Sequence, residues 1–62
     1  MKVYEWLVID RYNGGMLRSS HKTHEAAEKA ARASDHVISR DDALETGWVA
    51  ADVKEQIRKQ QD

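Results

Sequence analysis

Val3 to Ile9 opens the chain with six apolar residues in seven, interrupted only by Glu5. Aromatic and β-branched side chains in so short a run predict a strand. Alternation sets Val3, Leu7 and Ile9 on one face and Tyr4, Trp6 and Val8 on the other. A strand apolar on both faces is one that is covered twice. Asn13-Gly14-Gly15 follows, and Asn-Gly is a strong hairpin signal because a type I′ turn needs positive φ at both central residues. With Asn13 and Gly14 as a two-residue loop, facing residues have numbers that sum to 27: Glu5 with Lys22, Trp6 with His21, Val8 with Ser19. Moving the loop to Gly14-Gly15 would set Arg11 against Arg18, and like charges directly opposite are unfavourable. The first register is expected.

A helix should follow the second strand. Thr23 can serve as N-cap, and Glu25 and Glu28 stand near the positive end of the helix dipole. Glu25/Lys29 and Glu28/Arg32 are i,i+4 pairs with the acid first, the better order. The inner face, Ala26, Ala27, Ala30, Ala31 and Ala33, consists of methyl groups. Such a face lets a helix lie close to a sheet and leaves the bulk to the strands. Ser34-Asp35 ends the helix without a Gly or Pro stop.

In the last third, His36 to Ser39 reads as a short strand or a turn. Ser39 with Asp42 resembles a capping box, predicting a short helix over 40–46 that ends at Gly47. Two patterns compete from Trp48 onward. Alternation lines up Val49, Ala51, Val53 and Ile57 but is broken at Glu55. Helical spacing lines up Val49, Val53 and Ile57 beside Ala50, and Glu55/Lys59 adds another acid-first pair. Good helix formers fill 50–60, so a C-terminal helix is expected. The fold class is α+β, in the order ββα(β)α, as one small domain over 1–62 with 59–62 frayed.

Size limits how much such a chain can bury. A domain of 62 residues encloses only about 60% of its unfolded surface. Eleven Leu, Ile and Val residues supply most of its aliphatic bulk. A folded chain of slender margin is expected, steadied by a partner or by self-association. Cysteine is absent, which removes disulfides, thiolate metal sites and cysteine nucleophiles. The opening is interrupted at Glu5 and stops at Asp10, unlike a secretory signal. No run approaches a membrane span. A cytoplasmic protein with no membrane partner is expected.

The net charge of −1 conceals an asymmetry. Residues 1–34 hold six Lys/Arg against four acids, whereas residues 35–62 hold four against seven. The acidic half favours a basic protein surface as partner.

Candidate chemistry is sparse. His21-Lys22-Thr23-His24 has the spacing of two metal ligands, but two ligands make no site. His24-Glu25-Ala26-Ala27-Glu28 begins like a metalloprotease helix, yet carries Glu28 where the second His must stand. Ser19, Ser20 and His21 are consecutive, and neighbours on a strand point to opposite faces, so they form no triad. Asn13-Gly14-Gly15 is too short for a phosphate loop, which needs a helix directly after it. Asp41-Asp42 reads as a solvated helix start. No catalytic residue, metal or cofactor is expected.

The first strand is the most informative feature. One alanine-faced helix hides one of its faces, and the other needs a cover. That cover is either the chain's own segment 43–57 or a partner: another protein, or a second copy. Tyr4, Trp6, Val8 and Trp48 are the candidate partner-binding residues. The reading that follows is a non-catalytic protein-interaction module. Its size suits a small phage or mobile-element accessory protein that binds and modulates a host protein.

A second reading comes from a resemblance over Trp6 to Ala31, less than half of the chain. A Trp/Val strand (Trp6, Val8), a Gly turn (Asn13, Gly14, Gly15) and a helix entry (Lys22, Thr23, Glu25, Ala26) resemble the arm-type, AP2-like DNA-binding domains of phage tyrosine integrases. That family places three strands before its helix. The resemblance implies a nucleic-acid-binding accessory domain whose hairpin touches phosphates through Arg11, Arg18, Lys22, His21 and His24. Such binding would fall steeply as salt rises.

Overall fold

The computed structural model describes residues 3–60. Trp6–Asp10 (β1), Met16–His21 (β2) and Asp35–Ser39 (β3) form one antiparallel sheet in the order β2-β1-β3. His24–Ala30 (α1), Arg40–Glu45 (α2) and Ala51–Gln60 (α3) complete a ββαβαα chain. The α+β class, the hairpin running into a helix and the C-terminal helix are as expected. His36 to Ser39 is a strand rather than a turn, begun one residue earlier at Asp35. β1 holds the centre because Leu7, Val8 and Ile9 are all fully enclosed, and only a central strand is covered on both faces and both edges.

The two faces of β1 are closed by different helices. Leu7 and Ile9 join Val3, Ala43, Val49, Val53 and Ile57 in one cluster, with Leu17, Ile38, Leu44 and Trp48 packed around it. α2 and α3 thus supply the cover that the sequence left open between segment 43–57 and an outside partner. α1 lies over the opposite face, across β1, β2 and β3. Only Ala27 of α1 is buried. A methyl group contributes about 0.8 kcal/mol on burial, against about 1.5–3 kcal/mol for each enclosed Val or Ile. The grip of α1 is therefore slight beside that of α3, which inserts Val53 and Ile57.

The hairpin departs from a two-residue Asn13-Gly14 turn. Trp6, Leu7 and Val8 face His21, Ser20 and Ser19 in the expected register. Ile9 then faces Leu17 and Asp10 faces Met16, so Arg18 is the extra residue of a bulge. Residues 11–15 form the loop, with the Asn13 and Gly15 N–H groups both donating to the Asp10 carbonyl, at 3.3 and 3.1 Å. Positive φ falls on Gly14 (75°) and Gly15 (70°), not on Asn13. The reason is tertiary. The Ala50 N–H donates to the Gly15 carbonyl at 3.0 Å, and a Cβ at Gly15 would collide with the Trp48 carbonyl oxygen. Only glycine lets the loop lie on the segment between α2 and α3.

α1 also ends earlier than expected. The Asp35 N–H donates to the Arg32 carbonyl and the Arg32 N–H to the Asp35 carboxylate, both at 2.9 Å. This reciprocal pair turns the chain and aligns β3 with β1. The five-alanine inner face shrinks accordingly: Ala30 and Ala33 are exposed, Ala26 and Ala31 half-buried. Glu25 and Lys29 pair at 3.6 Å, but Glu28 meets His24 at 3.1 Å instead of Arg32. Both expected caps are present. Thr23 Oγ1 accepts from the Ala26 N–H and Ser39 Oγ from the Asp42 N–H, each at 3.1 Å. α3 extends through Lys59 and Gln60, and the Gln60 side chain accepts from the Val3 N–H. Of the stretch expected to fray, residues 61–62 lie outside the described ones. Among the described residues no helix is long and apolar enough to cross a membrane.

Candidate interaction surface

The expected partner-binding residues are dispersed. Val8 is fully enclosed between the sheet and its helix, so it presents nothing to a partner. Tyr4 is half-buried, with the Lys22 ammonium 5.5 Å from its ring centre, a cation–π distance. Trp6 is half-buried against the first residue of α1, its ring centre 4.7 Å from that of His24 and edge-on to it. Trp48 belongs to the other face and the other end of the sheet. It packs against His36 at 5.3 Å between ring centres, and the Arg11 guanidinium stands 5.5 Å over its ring.

The basic residues expected to meet phosphates are largely engaged within the chain. Arg18 reaches Asp10 at 3.8 Å and Asp35 at 3.6 Å. The Asp35 side chain is wholly buried, and one of its oxygens has no hydrogen-bond partner among the described residues. A buried carboxylate needs a counter-charge, so Arg18 is a structural counter-ion. His21 bonds Ser19 at 2.9 Å, His24 pairs with Glu28, and Lys22 covers Tyr4. Ser19 and His21 stand two apart on one face of β2, while Ser20 points away and accepts from the Tyr4 N–H. No carboxylate joins the Ser19–His21 pair among the described interactions. Arg11, exposed at the hairpin end of the sheet, has its Nη1 3.5 Å from His36 Nε2 and its guanidinium over Trp48.

That end also holds two residues not singled out from the sequence. Tyr12 is 83% exposed and Met16 44% exposed. Their signal was present: a large apolar side chain inside a hairpin loop, and another directly after it, where turn chemistry calls for polar groups. Arg11, His36 and Trp48 touch one another at this end, and Tyr12 and Met16 stand exposed on and just after the loop that Gly15 fixes to the α2–α3 connection. No protein-family model, curated protein or solved structure matches the chain.

Proposed function

We propose that the protein is a non-catalytic interaction module that docks another protein at the hairpin end of its sheet. The exposure of Tyr12, on a loop anchored by the Gly15–Ala50 hydrogen bond, carries this reading. Tyr, Trp, Met and Arg are the residue types enriched at protein interfaces, and this end of the sheet holds Tyr12, Trp48, Met16 and Arg11. A loop already held in place loses little conformational entropy on binding. The matching partner surface offers a recess for the Tyr12 ring, bordered by carboxylates for Arg11. The engagement of Arg18, Lys22, His21 and His24 within the chain, and the net charge of −1, weigh against a phosphate-binding hairpin.

The test compares nuclease-treated capture from the source cell by the native chain and by Tyr12→Ser and Arg11→Ala. A protein retained by the native chain and weakened tenfold or more by Tyr12→Ser, about 1.4 kcal/mol or more, supports the reading. The variants should match the native chain in stability to within about 0.5 kcal/mol, since an exposed side chain packs against little. Equal retention by all three chains would overturn it. Salt-sensitive retention of nucleic acid in a parallel capture without nuclease would replace it with the integrase-like alternative.

A further inference from the structure

The second surface is a strand edge. β2 and β3 are both edge strands, but they are protected unequally. The β2 edge is broken by the bulge at Arg18 and flanked by Lys22. The β3 edge, Asp35-His36-Val37-Ile38-Ser39, has regular pairing, no proline and no lysine. Its one charged side chain, Asp35, is turned inward. Edges are ordinarily blunted by bulges, charges or proline. This one is open.

Which backbone groups it exposes follows from the ladder. The Glu5 carbonyl accepts from the Arg40 N–H at 2.7 Å, so odd-numbered residues of the central strand bond toward β3. Leu7/Ile38 and Ile9/His36 are then the hydrogen-bonded pairs, and Asp35, Val37 and Ser39 direct their N–H and C=O groups outward. Two of these groups are already used. The Asp35 N–H donates to Arg32, and the Ser39 carbonyl, as that of an N-cap residue, takes the first bond of α2. The Val37 N–H, the Val37 carbonyl, the Ser39 N–H and the Asp35 carbonyl remain.

These groups complement themselves. An antiparallel copy related by a twofold axis at Val37 sets Val37 against Val37 and Asp35 against Ser39. Each Val37 N–H then meets the other copy's Val37 carbonyl, and each Ser39 N–H the other copy's Asp35 carbonyl. The two groups left over, the Asp35 N–H and the Ser39 carbonyl, face each other in this register and are already satisfied within each chain. We propose that the β3 edge pairs with the β3 edge of a second copy, joining two sheets into one across a twofold axis at Val37. Such an isologous contact closes on itself. It rests on a short strand, smaller than a standard interface, so assembly depends on concentration.

Light scattering on the full chain should show a mass rising from 7.1 kDa toward twice that value between micromolar and millimolar concentration. Val37→Pro removes the donor at the axis and no bond within the chain, because that N–H points outward, the edge placement that proline tolerates. It should stay monomeric throughout, whereas Tyr12→Ser should dimerise like the native chain. A native chain that is monomeric at millimolar concentration overturns the proposal, as does a dimer that survives Val37→Pro. A dimer abolished by Tyr12→Ser also overturns it, by moving self-association to the hairpin end. If Val37→Pro fails to fold, hydrogen exchange of the native chain decides. The Val37 and Ser39 amides should slow as concentration rises, and unchanged rates would refute the pairing.

Discussion

The two faces of the sheet are held by helices of unequal grip. α3 drives Val53 and Ile57 into a continuous cluster with Leu7, Ile9 and Val49. α1 covers the opposite face, where Val8 is enclosed and Trp6 half-buried, with Ala27 its one buried side chain. A domain this small concentrates apolar burial on one side. The other side it closes over fewer large side chains, Val8 and part of Trp6. Stability resides mainly on the α3 face, and the α1 face is where local opening should begin.

Substitutions on the two sides can break that contrast. The largest loss is expected from Ile57→Ala, about 2–5 kcal/mol in urea unfolding, a large share of what a domain this size possesses. Ala27→Gly, at the matching place on α1, should cost only about 1.5–2 kcal/mol, its helix propensity difference plus one methyl. Equal losses would mean that the faces share the load. An intermediate effect is expected at the loop that leans on the α3 side. Gly15→Ala meets both a left-handed backbone and the Trp48 carbonyl, and should lose about 2–3 kcal/mol. Gly14→Ala, with an equally positive φ but open space around it, should lose about 1 kcal/mol. The smallest effect is reserved for Thr23→Ala. Removing this cap should cost about 1 kcal/mol or less by thermal unfolding, with the loss confined to α1 amides in hydrogen exchange.

Features that depend on near neighbours were legible in the sequence. Thr23 and Ser39 cap the helices that they precede because the bond spans three residues. Val53 and Ile57 share a face because α-helical spacing requires it, and Trp6 faces His21 because the base of the hairpin follows its register. Features set by distant packing were not. Gly15 takes its conformation from Trp48 and Ala50, far along the chain. α1 stops at Ala30 because Asp35 must turn the chain back toward Asp10, a demand invisible among five helix-favouring alanines. Arg18 reads as a free cation until Asp35 is found buried beside it. Counting apolar residues on β1 correctly showed that two covers were needed, and could not show that α2 and α3 provide the second. Tyr12 went unnoticed because a residue inside a turn is judged by its backbone role.

The bond between the Val3 amide and the Gln60 side chain has a practical corollary. α3 starts beside Gly15, at the hairpin end, and finishes beside Val3, at the far end of β1. Whatever is joined to the chain before Val3 or after Gln60 departs from the pole opposite Tyr12 and Arg11. A fluorophore, bead or carrier domain fused at either side would hold the molecule like a handle and leave its working tip unobstructed.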